Sequence, residues 1–454
     1  MHAATCFTLI SLVGLGWALA TGDLTYRYVA SWASSSMPLL YRIGAVWAGP
    51  AGALLLWALV LGGGASVAAA TMPRGGVLRA WTTALLAPML LAVLAMACLG
   101  TNPFTRLAFP PDDGRGVPLE WLRPIALVQE PMGYLGMALA IVPAVMTVMG
   151  AMGNASWRAG ARRWSLATWA LLGAAMLLDW RRRYGDTAWA MDWQWAPVHD
   201  GTAFAWIGAT ILLLAALRRW PVTTTVAAAF VAFTLALAGL TIRRAHGWDG
   251  VHAFAATPTG RASAWLALAT SLAVSLELLR ASSALPTLLR RAIRTAQGAA
   301  LLGAVALVAT GWARSAEVEV REGESTRVTD RFGAPWSLSL EGVSKVGRED
   351  VVSTVVAVRG AVAGRARGYV TADVRTLFSR TTGQAVAEEF FAGVSTGLLQ
   401  DLRVDVRDAG TAEAVLNVQF VPLAAWLWFA GIVAVVAAFV AALAPRAPTD
   451  GEDA

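Results

Sequence analysis

The sequence predicts an α-helical, polytopic membrane protein with about ten transmembrane helices and a small extracytoplasmic β domain between the last two spans. Three observations lead to this prediction. Of the 454 residues, 57% are hydrophobic and only 14% are charged, which lies outside the composition of soluble globular domains. Apolar runs recur at roughly the 20-residue length that a bilayer requires. One segment of about 100 residues instead alternates polar and apolar side chains, as strands do.

The apolar runs define ten candidate spans. They fall at 5–21, 45–66, 77–99, 132–153, 164–179, 203–217, 221–242, 263–279, 295–313 and 423–444. The first run has no basic n-region before it, so we predict a retained helix. The alternative is a secretory signal with Ala18-Leu19-Ala20 as its cleavage site.

The arginines predict the orientation of the chain in the cytoplasmic (inner) membrane. Loops that carry arginine and almost no acidic residues are predicted to be cytoplasmic, and they lie around 74–79, 158–163, 218–219 and 280–294. The connections that mix acidic residues with arginine are predicted to face outward, and they are 22–44, 100–131, 180–202 and 243–262. This alternation places both chain ends in the cytoplasm.

The segment 314–421 differs from the rest of the chain. It contains the stretches AEVEVRE, WSLSLEGV, VVSTVVAVRG and VLNVQFV between glycine-containing turns. Alternation with a period of two predicts strands. The sequence therefore divides into a transmembrane helical domain at 1–313, the β domain at 314–421, and a final helix with a cytoplasmic tail at 422–454.

The sequence lacks the signatures of several functional classes. It contains no HExxH, GxSxG, Walker or CxxC motif. Cys6 and Cys98 both lie within apolar runs, so neither a disulfide framework nor a thiolate metal site is predicted. The net charge is +7, but the basic residues are scattered. We therefore predict no nucleic-acid binding.

One outward connection, 180–202, is unusually rich in tryptophan. Together with the start of the next span it holds Trp189, Trp193, Trp195 and Trp206. Tryptophan also collects in ordinary interfacial belts, which is the simpler explanation. The density of indoles, interrupted by polar residues, nevertheless favours a platform for a planar apolar ligand with a metal centre.

A second outward connection, 243–262, carries His246, Trp248 and His252. A single interfacial histidine is usually only a hydrogen-bonded polar residue. Beside an aromatic platform, however, imidazole is the commonest axial ligand of heme iron.

Residues 193–200 and 250–260 resemble the WxWDPVEN and SVHAFAxxPxRG elements of the CcmF-type heme lyases of cytochrome c maturation, a family of tryptophan-rich membrane proteins with a WWD domain. Residues 23–57 are similar to the family's DFxVxYVAxxSNxxLPxxYRxxAxWGxHEGSLLLW element. Further matches, in family order, are Asn102-Pro103-Phe104, Asp113-Gly114-Arg115, 132–136, Gly397-Leu398, Asp401-Leu402, Pro422, Trp426, Trp428 and Gly431. The resemblance covers 23–262 and 295–446, and it implies a shortened relative that lacks several family helices.

The resemblance also implies an altered set of heme ligands. Family members use two outward histidines beside the tryptophan loop and two embedded histidines for a stable b-type heme. His252 matches the second outward ligand, whereas the first falls on Ala126. The embedded positions fall on Leu214 and near Leu302. Transient heme docking is therefore implied rather than a permanent b-type heme.

His199 occupies the position of the glutamate in the WxWDPVEN element. We hypothesise that His199 or His246 pairs with His252 across the heme iron. The alternative is that His199 only forms a hydrogen bond to Asp200 or to a backbone carbonyl.

The resemblance implies heme delivery and ligation to apocytochrome c at the outer face of the membrane, with heme lyase-like formation of thioether bonds. The implied partners are a heme chaperone, apocytochrome c or its presenting subunit, and other membrane subunits that supply the missing helices. The alternative is a degenerate scaffold subunit of a cytochrome maturation or respiratory assembly that no longer binds heme. The β domain is predicted to contact partners rather than to perform chemistry.

Overall fold

The computed structural model describes residues 2–72, 75–100, 102–117, 124–152, 157–185 and 197–244, parts of 291–309, and 313–443 apart from short gaps at 331, 349–350, 363 and 379–384. The helices are α1 His2–Thr21, α2 Arg27–Trp32, α3 Leu39–Gly44, α4 Pro50–Thr71, α5 Val77–Ala95, α6 Pro124–Met152, α7 Arg158–Tyr184, α8 Pro197–Leu217, α9 Val222–Arg244 and α10 Ala424–Leu443. A 3-10 turn precedes α4, and a π-helical turn continues α5.

Helices stand at eight of the ten predicted spans. In the described part of the chain, α1, α4, α5, α6 and α10 are long and apolar enough to cross a membrane, and the apolar parts of α8 and α9 are shorter. The chain is a multi-pass membrane protein. The number of spans stays a prediction, because 263–279 lies outside the described residues and 295–313 is described only in part.

The predicted boundaries were wrong for three helices. The first, α6, begins at Pro124 rather than at 132; the second, α7, runs over 158–184 rather than 164–179; and the third, α8, begins at Pro197 rather than at 203. Hydropathy marks only the apolar part of a helix, whereas its polar end turns continue the same backbone hydrogen bonds. The described part of the predicted loop 180–202 is therefore largely helical, and only 186–196 of it lie outside the described residues.

The bundle is built around α4 and α6. In each of these helices, 72% of the most apolar 18-residue stretch is buried, compared with 22% in α1 and 28% in α5. The latter two helices thus present most of their surface to lipid. A third interior helix, α7, packs against α6, α8 and α10. Glycine permits its close approach, because a Cβ atom at Gly136 would lie 2.6 Å from Leu172 and one at Gly431 would overlap Leu177.

The β region consists of two antiparallel sheets. Its strands are β1 Arg314–Arg321, β2 Ser325–Thr329, β3 Pro335–Arg348, β4 Val351–Val362, β5 Arg365–Phe378, β6 Ala385–Phe391, β7 Gly393–Ser395, β8 Gln400–Ala409 and β9 Glu413–Pro422. One sheet has the order β1-β9-β8-β7 and the other β2-β3-β4-β5-β6. The four alternating stretches predicted to be strands fall on β1, β3, β4 and β9, so that prediction is confirmed.

A single core joins the two sheets. It contains Leu338, Val356, Val404, Leu416 and Phe420, each at most 1% exposed. Strand β9 leads into α10 through one residue, Leu423, whose φ of 55° lies in the left-handed region. The last strand and the last helix are therefore joined by a tight link.

Two connections at one end of the bundle are fastened together by Asp113. Its carboxylate accepts hydrogen bonds from the Ser34 hydroxyl at 3.0 Å, and from the Ser35 amide at 2.9 Å and hydroxyl at 2.8 Å. The next residue, Gly114, approaches the chain so closely that a Cβ atom there would overlap the carbonyl oxygen of Ala33. The Asp113-Gly114-Arg115 match thus has a structural explanation.

We expect Asp113→Asn to lower the free energy of unfolding at pH 7 by about 1 kcal/mol, because charge-assisted hydrogen bonds are lost from a partly exposed site. Burial acts to raise the pKa of Asp113, but hydrogen bonds from Ser35, Gly114 and Ser34 outweigh it and lower the pKa to about 2. The stabilisation is thus present above the ordinary pKa of 3.8 and is lost as the pH falls towards about 2.

Thermal unfolding of the detergent-solubilised protein between pH 7 and pH 2 measures this effect. The matched control is Asp112→Asn, because Asp112 is exposed in the same turn. An equal loss of stability in both variants, or a loss from Asp113→Asn that does not shrink on acidification, would contradict the assignment.

Candidate functional site

Most of the predicted site residues lie outside the described part of the chain. These are Trp189, Trp193 and Trp195 in 186–196, and His246, Trp248 and His252 in 245–290. Whether they converge on one ligand therefore stays a prediction. In the part that the structure describes, no group of three or more His, Cys, Asp or Glu residues could hold a metal ion.

The structure corrects the position predicted for His199. The sequence placed it in an outward loop, but it lies in the first turn of α8, two residues after Pro197. Its backbone is therefore helical. The tryptophan-rich residues 186–196 between α7 and α8 lie outside the described residues.

Trp206 lies deeper, in the third turn of α8. At 1.5 Å per residue, it is about 14 Å along the helix from Pro197. Its ring packs on Trp169 of α7, with the centroids 5.5 Å apart and the planes inclined by 34°. The Trp169 indole donates a hydrogen bond to the Thr210 hydroxyl at 3.0 Å. This pair of indoles thus lies between two helices, below the tryptophan loop rather than within it.

The indole Nε1 of Trp206 is buried and has no hydrogen-bond partner among the described residues. It faces a helix surface that lacks a side chain, since a Cβ atom at Gly173 would lie 3.6 Å from this nitrogen. A buried donor without an acceptor is costly, by about 1–3 kcal/mol. Trp206 thus directs an available donor into the interior between α7 and α8.

The start of the tryptophan loop is held by the β region. Tyr184, the last residue of α7, donates a hydrogen bond from its hydroxyl to Asp401 Oδ2 at 2.9 Å. Its carbonyl oxygen accepts one from Arg403 Nε at 3.1 Å. The Gly185 carbonyl accepts another from the Ala392 amide at 2.9 Å. Strand β8 and the residue before β7 therefore fix the point at which the loop leaves the helix.

Arg403 is the centre of this junction. It forms a two-pronged ion pair with Asp405, with nitrogen–oxygen distances of 3.1 Å, and both side chains are fully buried. Gln419 accepts a further hydrogen bond from the guanidinium. Burial raises the pKa of Asp405, and the neighbouring Arg403 opposes that rise. A charge buried in this way requires its partner, so the junction is a fixed arrangement.

An aromatic rim surrounds the junction. The Tyr184 and Trp428 rings are 5.5 Å apart at 63°, and Trp180 packs in the same cluster. The exposed guanidinium of Arg181 lies 5.9 Å from the Tyr184 ring and 6.0 Å from the Trp428 ring. Tyr184 is only 1% exposed, so the half-buried indoles of Trp180 and Trp428 beside the exposed guanidinium are the groups that suit a flat ligand with carboxylates. We call Trp180, Arg181, Tyr184 and Trp428 the junction rim.

The rim residues could not be assigned to a site from the sequence. Tyr184 and Trp428 are distant in the chain, and they meet only because α7 packs against α10. The arginines at 181–183 were a usable signal, since they lie in a connection predicted to face outward, where arginine is not expected to collect.

Apolar side chains occupy the positions at which the resemblance implies further heme ligands. Ala126 lies in the first turn of α6 and is 2% exposed. Leu214, 8% exposed, packs in a cluster with Leu166 and Ala441. Leu302 is 40% exposed. The side chains present at the two embedded positions thus do not fit a bis-histidine heme.

Comparison with known proteins gives both a fold and relatives. No family model matches the chain. A solved structure of the cytochrome c heme lyase CcmF aligns with 97% of this chain and 90% of its own, with a TM-score of 0.72 and 17% identity. At that identity the likeness establishes the fold. The cytochrome c-type biogenesis protein CcmF of Pseudomonas aeruginosa is 33% identical over 257 residues. The chain is a CcmF-type relative.

Other relatives are also named as cytochrome c-type biogenesis proteins. The cytochrome c-type biogenesis protein CycK of Rhizobium meliloti is 29% identical over 271 residues, which cover 57% of this chain and 40% of CycK. The probable biogenesis protein NrfE of Escherichia coli is 30% identical over 272 residues, or 56% of this chain and 49% of NrfE. The match to Pseudomonas CcmF covers 54% of this chain and 38% of CcmF. The chain thus matches less than half the length of these curated relatives, and the CcmF-type resemblance is confirmed.

Proposed function

We propose that this CcmF-type relative delivers heme to apocytochrome c on the side of the membrane that carries the β region and the tryptophan loop, which we place outside the cytoplasm. The observation that carries the proposal is the 33% identity with CcmF over 257 residues. Heme is here the substrate, and the chain would dock it transiently between a heme chaperone and the apocytochrome.

The described residues support a docking site at the end of α7. The junction rim supplies aromatic faces and an exposed cation, while Arg403 and Asp401 hold its base. Such a surface matches a porphyrin, which is flat, apolar and edged by two propionates. Within this proposal, His252 binds the iron, and His199 or His246 binds it from the other face. Trp189, Trp193, Trp195 and Trp248 complete the platform, and Trp206 lies beneath it.

The proposed chemistry is addition of two cysteine thiols of the apocytochrome across the two heme vinyl groups. Each addition forms a carbon–sulfur bond and moves the thiol hydrogen to the other vinyl carbon, so no electron is transferred. The chain contributes by positioning heme rather than through an acid or base of its own, because orientation alone supplies a large rate advantage. Other membrane subunits would assemble with the chain.

A second candidate function is a scaffold subunit that no longer binds heme. The packing of Leu214 and the burial of Ala126 favour it, because no imidazole occupies either position. On this alternative the β region still contacts the apocytochrome machinery, and the tryptophans form an ordinary interfacial belt.

We expect the protein, co-expressed with a heme chaperone and purified in detergent, to show a heme absorbance that shifts on reduction with dithionite. His252→Ala should lower the heme occupancy by about tenfold or more, because an axial ligand is lost. The matched control is His2→Ala, an exposed histidine at the start of α1, which should leave the spectrum unchanged. A wild-type protein without heme would instead support the scaffold.

The second ligand is tested in the same way. If His199 or His246 binds the iron, alanine at that position shifts the Soret band while part of the heme stays bound. Unchanged spectra in both variants would rule out the pairing but leave His252 as a ligand.

A further inference from the structure

Two adjacent leucines are exposed at the edge of the β region. Leu398 and Leu399 are 75% and 67% exposed, and they form the turn between β7 and β8. Single exposed apolar residues are common on protein surfaces. Two neighbouring leucines in a turn, where polar residues are usual, indicate a surface that is covered in the membrane-bound protein.

The turn is fastened to the start of α10. The Trp426 indole donates a hydrogen bond to the Leu398 carbonyl at 2.9 Å. The Leu423 amide donates one to the Leu399 carbonyl, also at 2.9 Å. On the other side, the Gly397 amide donates to Asp401 Oδ1 at 3.0 Å. Both leucines are thus held level with the first turn of α10.

That first turn lies at the surface of the membrane. Helix α10 is apolar enough to span a bilayer, because its most apolar 18-residue stretch has a mean hydropathy of 2.4. Trp426 and Phe429 are exposed on its outer face, with ring centroids 6.0 Å apart. Tryptophan at the end of a span marks the headgroup level.

We propose that Leu398 and Leu399 insert into the lipid leaflet on the side that carries the β region. The occupant of this surface is lipid acyl chain, because the turn is continuous with the lipid-facing side of α10. The turn leads directly into β8, whose Asp401 and Arg403 hold the end of α7. The insertion thus sets the height of the β region above the start of the tryptophan loop, and it does not depend on the proposed heme function.

The test measures the depth of each leucine in a bilayer. Leu398→Cys and Leu399→Cys are made separately in the full chain, with Cys6 and Cys98 replaced by serine, and each variant is nitroxide-labelled and reconstituted in phosphatidylcholine nanodiscs. Both leucines are exposed, so neither change removes a packed side chain. The accessibility of each label to oxygen is then compared with its accessibility to a water-soluble nickel complex, and this comparison gives the depth of the label. We expect both labels to report a depth of about 5–10 Å, at the boundary between headgroups and acyl chains.

Val346→Cys is the matched control. Val346 is 63% exposed on β3, at the end opposite Trp336, whose ring packs on Phe420 near the membrane end of β9. A label there should be accessible to the nickel complex. If the labels at 398 and 399 are as accessible to nickel as the label at 346, the leucines face water and the proposal is wrong, whether or not the protein binds heme.

Discussion

Arg403→Met is expected to lower the free energy of unfolding by about 3–5 kcal/mol, because it leaves the fully buried Asp405 without its partner. The variant also removes the hydrogen bond to the carbonyl of Tyr184 at the end of α7. Chemical unfolding of the protein in detergent, followed by circular dichroism, measures the change. Because the same side chain holds the start of the tryptophan loop, protease cleavage within 186–196 should also become faster.

Two controls separate burial from charge. Arg359→Met breaks a pair with Glu341 at 3.0 Å, but Arg359 is 53% exposed, so we expect a loss of at most about 1 kcal/mol. The double variant Arg403→Met, Asp405→Leu should recover most of the lost stability, since no unpaired charge stays buried. Equal losses from Arg403→Met and Arg359→Met would show that burial does not govern the energy of this pair.

Gly52→Ala is expected to cost about 3 kcal/mol, the upper end of the range for overpacking. A Cβ atom at position 52 would overlap the carbonyl oxygen of Val46 and lie 2.6 Å from the Tyr28 hydroxyl. The nearest atom belongs to the backbone, so it cannot rotate away. The Tyr28 hydroxyl also donates a hydrogen bond to the Val46 carbonyl at 2.8 Å and accepts one from the Gly49 amide at 3.0 Å. A small substitution thus disturbs the junction between the 22–49 segment and α4.

The same helix supplies the control for this prediction. Gly63 also lies in α4, and a Cβ atom at this position would have no neighbouring atom within 4 Å. Gly63→Ala should therefore be neutral or stabilising by up to about 1 kcal/mol through helix propensity. Thermal unfolding in one detergent compares the two variants. Similar midpoints for Gly52→Ala and Gly63→Ala would contradict the close approach of Val46.

The β region has a larger structural role than the sequence indicated. Its predicted task was contact with partners. In the structure it also holds the end of α7 through Arg403 and Asp401 and rests on the first turn of α10. A variant of the β region can therefore disturb the end of α7, and its contact with partners stays a prediction. Alternation of polar and apolar residues could not indicate this, because Arg403 lies on the polar face of β8, opposite the core residues Leu402 and Val404, and the pattern assigns that face to solvent although it is buried.

The fold class was predictable from the sequence alone. Spans and strands could be located because bilayer thickness and the two-residue period of a strand leave local patterns in composition. The helical turns that precede the apolar runs of α6 and α8 could not be located, because polar turns extend a helix without any hydropathy signal.

The way in which distant parts of the chain meet became visible only in three dimensions. The pairing of Tyr184 with Trp428, the ion pair of Arg403 with Asp405, and the orientation of Trp206 towards Gly173 join different helices or bury charges on one face of a sheet. Such contacts depend on packing, and no local period encodes them. For the same reason the sequence could predict a heme platform from its tryptophans and His252, whereas the junction rim and the ion pair beneath it emerged only from the fold.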